Sequence, residues 1–217
     1  MRHLAVAFAA LFILAFAALD RFDAPPMLPL VSEAEAAAPK AAPVQRASLP
    51  SPYMIDTATL AFVDCDHYMG TAVHLGGGRY ITAAHVATSS GCRIGGKPVS
   101  IESIDTKADW AIVTSAARLP FYVITSCDRL VEGETYFASG YAEGNPWPVT
   151  TRLVAEHYRD ADGISMLKGA IVAGMSGGAV VDRDGVLHAI NESRMGDGIP
   201  LAGVVELADT ALCKAGK

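Results

Sequence analysis

Basic residues are too few in this chain to make a polyanion-binding footprint. Lys and Arg number 17 against 23 Asp and Glu, and the formal net charge over 217 residues is −6. That balance excludes nucleic acid as an expected partner and leaves proteins or peptides as the better candidates. Charge of either sign is sparse, at 18%, while 51% of the residues are hydrophobic. Such a composition feeds a packed core, not a disordered chain. Cysteines paired at metal-ligand spacing are missing too. Cys65 and His67 stand two positions apart with Cys92 far downstream, so a metal site built from these three is the weaker reading. Neither a metal nor an organic cofactor is expected.

An apolar run of full membrane-spanning length is also absent. Residues 4–19 are uninterruptedly apolar, follow Met1-Arg2-His3 and stop at Asp20-Arg21. Their length of roughly 16 residues falls between a secretory signal core and a bilayer span. Ala15-Phe16-Ala17 offers a small-x-small cleavage site, and Ala34-Glu35-Ala36 a second, farther from the run. Residues 1–23 are therefore expected to be a signal peptide or signal anchor. The protein is expected in the periplasm or outside the cell, or alternatively held to the membrane through residues 4–19. Residues 24–52 carry Pro25, Pro26, Pro29, Pro39, Pro43, Pro50 and Pro52 among many alanines. Proline removes backbone donors and fixes φ, so this stretch reads as an extended linker. The folded domain is expected over residues 53–217.

Within it, short β-rich runs recur between turn signals: 59–63, 70–75, 80–83, 99–104, 110–114, 135–139, 149–156, 163–167, 177–182, 186–192 and 201–205. Gly76-Gly77-Gly78 and Asp182-Arg183-Asp184-Gly185 read as hairpin turns. About eleven strands in about 160 residues suit two small barrels better than one sheet. Residues 206–213 instead show helical spacing and predict a short C-terminal helix.

Three motifs carry the chemistry. Thr82-Ala83-Ala84-His85-Val86 places a histidine at the end of an apolar strand. Asp109-Trp110-Ala111-Ile112-Val113 places a carboxylate just before another strand, with Asp105 as its competitor four residues earlier. Gly174-Met175-Ser176-Gly177-Gly178 surrounds a serine with glycines. A serine hydroxyl is a weak nucleophile at neutral pH. It needs an imidazole to take its proton and a carboxylate to fix the tautomer of that imidazole. His85, Asp109 and Ser176 supply the three in that order. Glycines around Ser176 let backbone N–H groups converge on the oxyanion formed when a carbonyl is attacked.

The order His, Asp, Ser and these motifs resemble the chymotrypsin-like serine proteases. The run from Gly169 to Gly178, followed by residues 179–193, is similar to the bacterial HtrA-type branch, here without its peptide-binding PDZ module. The resemblance covers roughly residues 53–213. It implies an all-β fold of two antiparallel Greek-key barrels, about 53–125 and 126–217, with the site in the cleft between them. It further implies an exported serine endopeptidase working through an acyl-enzyme. The alternative is a non-catalytic homologue that binds proteins.

Under this resemblance Gly174 and Ser176 supply the oxyanion-hole amides, and Ala170, Ile171, Asn191, Ser193 and Arg194 wall the substrate pocket. Four cysteines in an exported chain admit three disulfide pairings. Cys65–Cys92, on either side of the His85 segment, and Cys127–Cys213 resemble bridges of trypsin-like enzymes. Two residues depart from the family. Met175 stands where the digestive members carry an acid that pairs with a freed N-terminus, so activation by that ion pair is not expected. Glu192 stands where a small or hydroxyl residue is usual, and a charge there is expected to perturb the site.

Overall fold

The computed structural model describes residues 57–143, 145–195 and 200–214, with the side chains of residues 157, 158 and 193–195 outside that description. The expected export segment and linker at residues 1–52 also lie outside the described residues. Among the described residues, twelve strands form two closed antiparallel barrels. The first contains β1 (Leu60–Asp64), β2 (Met69–Gly76), β3 (Arg79–Thr82), β4 (Arg93–Ile94), β5 (Lys97–Asp105) and β6 (Trp110–Ser115), in spatial order 1-2-3-6-5-4. The second contains β7 (Thr135–Tyr141), β8 (Pro148–Arg159), β9 (Ser165–Lys168), β10 (Ala179–Val181), β11 (Leu187–Met195) and β12 (Leu201–Glu206), in order 10-11-12-9-8-7. The eleven expected strands are all present. The twelfth, β4, has only two residues, too few to show any periodicity.

Side-chain alternation explains why the strands facing the barrel interface are apolar on both sides. On β6, Trp110 and Ile112 face the core between the barrels, while Ala111 and Val113 face the interior of the first. On β10, Ala179 and Val181 face the shared core and Val180 the interior of the second. A strand buried on both faces reads as a continuous hydrophobic run, although its pairing is antiparallel.

The shared core draws Leu60, Val73 and Ile81 from one barrel together with Phe137, Leu187, Ile190 and Val205 from the other. Between β6 and β7 the connecting chain is stitched to both sides. Val123 N–H donates to the His74 carbonyl on β2 (3.0 Å), and Ser126 N–H donates to the Leu187 carbonyl on β11 (2.9 Å).

Among the described residues there are two one-turn α-helices, α1 (Ala84–Ala87) and α2 (Ala211–Lys214). The expected C-terminal helix is split in two. A 3₁₀ turn at Leu207–Asp209 is closed by Thr210, whose hydroxyl and N–H both donate to the Leu207 carbonyl (2.8 and 2.9 Å). The self-bonding of a threonine side chain competes with helix propagation at that residue.

Disulfides join Cys65 to Cys92 and Cys127 to Cys213. The first spends both thiols that a metal site with His67 would need. They close loops of 27 and 86 residues, so loss of either by Cys→Ser replacement is expected to lower stability by about 2–5 kcal/mol, more for the longer loop. Urea unfolding measures this. Mass spectrometry of the unreduced digest is expected to show these two linkages alone.

Candidate active site

β3 ends at Thr82, and the chain turns through Ala83 into α1, which presents His85. The loop that carries Ser176 presses on the end of β3 just before this turn. A Cβ on Gly177 would collide with the Thr71 carbonyl and the Thr82 hydroxyl, and Gly177 has φ +80 besides. Only glycine meets both conditions without strain.

Asp109 closes the turn before β6 with φ 51, a left-handed conformation that aspartate tolerates better than most residues. Asp105 builds that turn, with Oδ1 accepting the N–H groups of Lys107 and Ala108 (3.0 Å each). Its carboxylate is thereby committed, which separates it from Asp109. Both Asp109 oxygens serve His85. Oδ1 accepts the His85 backbone N–H (2.8 Å), and Oδ2 accepts from ring Nδ1 (2.6 Å). A carboxylate at Nδ1 places the proton there and leaves Nε2 as the basic nitrogen. The Tyr68 ring meets the imidazole edge-on, at 5.7 Å between centroids. The His85 pKa is raised above its ordinary value, chiefly by the hydrogen bond to Asp109. Burial opposes the shift, and the charges of Asp109 and Glu192 add to it.

Ser176 sits in a loop held from three sides. Met175 N–H donates to the Val172 carbonyl (3.1 Å), making a turn with Gly174 at φ +88. The Ala173 carbonyl accepts from Glu143 N–H (2.8 Å). In a trans peptide the C=O and N–H point in opposite directions, so this bond turns the Gly174 N–H away from Glu143. A cleft of about 290 Å³ opens here, lined by Asp64, Asp66, Tyr68, Glu143 and Gly174 among others. The Ser176 hydroxyl donates to the Glu192 carbonyl (3.1 Å). That bond directs the hydroxyl proton to the backbone of β11. Among the described residues no group of three or more His, Cys, Asp and Glu side chains is arranged to hold a metal ion.

Two residues expected to wall the pocket are buried. Ile171 is 4% exposed and packs in the interior of the second barrel. Asn191 is fully buried beneath the nucleophile loop, where Nδ2 donates to the Met175 carbonyl (3.2 Å), Gly177 N–H donates to its carbonyl (2.7 Å) and its N–H donates to Gly178 (2.8 Å). Both side chains are closed off from solvent. Ala170 is exposed, and the side chains of Ser193 and Arg194 lie outside the described residues. Met175 is buried in the same interior as Ile171. An acid would be uncompensated there, which accounts for the apolar residue.

Thr71 was not legible as a site residue. On β2, its hydroxyl donates to the Gly174 carbonyl (3.0 Å) and accepts from Tyr141 N–H on β7 (2.8 Å). Its N–H donates to the Ser176 carbonyl (2.8 Å), and its carbonyl accepts from the Thr82 hydroxyl (2.7 Å). The available signal was a hydroxyl residue in an otherwise apolar strand. Thr71→Val keeps the shape and strips the partner from two buried backbone groups. The expected cost is about 1–3 kcal/mol in urea unfolding, and a loss below about 0.5 kcal/mol would contradict the role given to the hydroxyl.

No curated protein sequence matches the chain. Among solved structures, the Rv3671c protease from M. tuberculosis in its active form is 20% identical, with 91% of this chain and 92% of that one covered and a TM-score of 0.62. A serine endoprotease from Yersinia pestis is 21% identical, with 70% and 60% covered and a TM-score of 0.57. A human pathogenic astrovirus serine protease is 18% identical, with 71% and 92% covered and a TM-score of 0.55. At these identities the likeness is one of fold. The model of the trypsin-like peptidase domain matches residues 70–190, from the strand that grips the nucleophile loop to the strand beneath it. With that match over more than half its length and the paired barrels it implies, this chain belongs to the trypsin-like peptidase domain family.

Proposed function

We propose that the protein is an exported serine endopeptidase that cleaves polypeptides through Ser176, His85 and Asp109. The observation that carries this reading is the double grip of Asp109 on His85, which fixes both the backbone and the ring of that residue in the tautomer a general base requires. Ser176 Oγ attacks the scissile carbonyl as its proton passes to His85 Nε2. The oxyanion is received by the N–H groups of Gly174 and Ser176. His85 then returns the proton to the departing amine, leaving an acyl-enzyme that water hydrolyses by the same route. Burial of Met175 supports an oxyanion loop that needs no ion pair from a freed N-terminus. Export rests on the basic start and apolar run of residues 1–19.

An active-site phosphonate is expected to label Ser176 in the parent and not in Ser176→Ala; labelling that persists in the variant overturns the assignment. Ser176→Ala and His85→Ala are each expected to lower kcat by more than about 10⁴-fold with the fold retained, and Asp109→Asn by about 10⁴-fold through the wrong tautomer. Because the His85 pKa is raised, the imidazole stays protonated to higher pH than an ordinary histidine. The acid limb of kcat/KM is therefore expected above about pH 6.5, with activity rising as pH increases. A limb centred below that value contradicts the shift.

At the specificity pocket, Ala170 stands where enzymes selective for Lys or Arg place a carboxylate. An unpaired cation there would carry a desolvation cost of several kcal/mol. Ala, Val, Leu or Met at P1 is expected to be preferred in a P1 peptide library. A Lys or Arg preference would overturn that reading.

A further inference from the structure

β4 closes the first barrel with only two residue pairs, Val63 with Ile94 and Asp64 with Arg93, before Gly95 and Gly96 (φ +53 and +73) turn the chain into β5. Past that turn, the edge of β1 over Leu60–Phe62 has no strand beside it among the described residues. The backbone of Phe62 faces this edge. Its partner on β2 is Thr71, whose N–H is given to the Ser176 carbonyl, so the two form the non-hydrogen-bonded kind of antiparallel pair. The N–H and C=O of Phe62 therefore point away from β2. They meet a groove of about 570 Å³ lined by Phe62, Arg93, Lys97, Ala117, Arg118 and Tyr141 among others.

We propose that this groove docks an extended, acidic segment of the protein substrate, added as a strand beside β1 and separate from the residues that are cleaved. The proposal rests on the peptidase reading for the identity of the occupant and on geometry for the rest. An open strand edge is a template for pairing with another chain, and main-chain hydrogen bonds supply the grip.

The side chains around the edge set the chemistry of that chain. The Arg93 guanidinium donates to the Gly96 carbonyl (3.4 Å), and that of Arg118 to the Ser115 and Ala117 carbonyls (2.8 and 3.0 Å). Gly96 and Ala117 line the groove, so both cations are anchored at its walls. A guanidinium has more N–H donors than these bonds use, and the remainder suit a carboxylate. Among the described residues Arg93, Lys97 and Arg118 are in no ion pair. These three cations share the groove with a single carboxylate, Asp64, in a chain whose net charge is −6. Phe62 is 37% exposed and meets the Tyr141 ring edge-on (5.5 Å between centroids), which adds an apolar wall. Acids alternating with apolar residues match such a surface, because successive side chains of a strand point to opposite faces.

Continuity with the catalytic cleft identifies the source. Asp64 lines both this groove and the cleft at Gly174. A polypeptide that leaves the cleft past Asp64 meets the groove next. Its docking is then intramolecular, at a high effective concentration.

The probe is a fluorescein-labelled peptide of alternating Glu and Val, with a Lys and Val peptide as control, bound to the full chain and read by anisotropy. The acidic peptide is expected to bind at least about fivefold more tightly than the basic one, and Arg93→Glu with Arg118→Glu to abolish that preference. Methylation of the amide nitrogens of the acidic peptide is expected to abolish binding, since strand addition uses those donors. Binding that survives methylation, or a preference unchanged in the double variant, overturns the proposal. Linked flexibly to a cleavable peptide, the acidic sequence is expected to lower KM by about fivefold in the parent and not in the double variant. Turnover of the unextended peptide is expected to be equal in both. Binding without a change in KM overturns the substrate as occupant, and a dimer in sedimentation that the double variant loses overturns it in favour of a second copy. Anisotropy that keeps its preference in a protein without peptide turnover would overturn the peptidase reading, and with it the substrate as occupant, while the acidic strand groove stands.

Discussion

The hydrogen bonds of Thr71 are the constraint on which the site depends. Apolar burial drives the two barrels together, but it is non-directional and tolerates small slides and rotations. A catalytic constellation tolerates neither, since a misplacement of about 1 Å can cost two orders of magnitude in rate. Thr71 supplies direction. All three of its polar groups are used, in four hydrogen bonds: to the carbonyls of Gly174 and Ser176, from the Tyr141 N–H in the second barrel and from the Thr82 hydroxyl beside the histidine turn. The strand that receives the Thr82 hydroxyl just before the histidine turn is in this way the strand that grips the loop of Ser176. Gly177 makes this approach possible by having no side chain to hold the backbones apart.

The fold was largely legible because β-strand periodicity and turn chemistry are local. The apolar run at 110–113 and the hairpin turns at 76–78 and 182–185 read correctly from composition alone. Where the reading was incomplete, a tertiary cause can be named. β4 exists because its two residues find partners on β1 and β5. His85 was read as a strand end, yet it sits on a single helical turn, because Asp109 captures its backbone N–H and draws the chain out of the sheet.

The candidate site was legible as chemistry and less so as architecture. His85, Asp109 and Ser176 are recognised by residue type and flanking pattern, whereas distinguishing Asp109 from Asp105 needed the turn in which Asp105 is spent. Ile171 and Asn191 flank the right segments for a pocket, but sequence does not reveal which way a side chain points after a bulge or a glycine-rich turn. Asn191 shows the difference most plainly. A polar residue at a presumed wall is in fact the floor that supports the Met175 and Gly177 backbone.

The two disulfides divide the chain into unequal topological territories. The span from Cys127 to Cys213 encloses every strand of the second barrel together with Ser176, and the span from Cys65 to Cys92 encloses β2, β3 and His85. A single backbone cut inside either ring leaves the fragments covalently joined. Between the rings lies the stretch 93–126, which contains Asp109 and the exposed Phe121, Tyr122 and Ile124. In the segment joining the barrels, one cut beyond Asp109 would leave His85 and Asp109 on one piece and Ser176 on another, with no covalent link to hold them. Covalent protection against backbone cleavage is therefore concentrated where the rings are, and the crossing between the barrels is the place where one cut would separate His85 and Asp109 from Ser176.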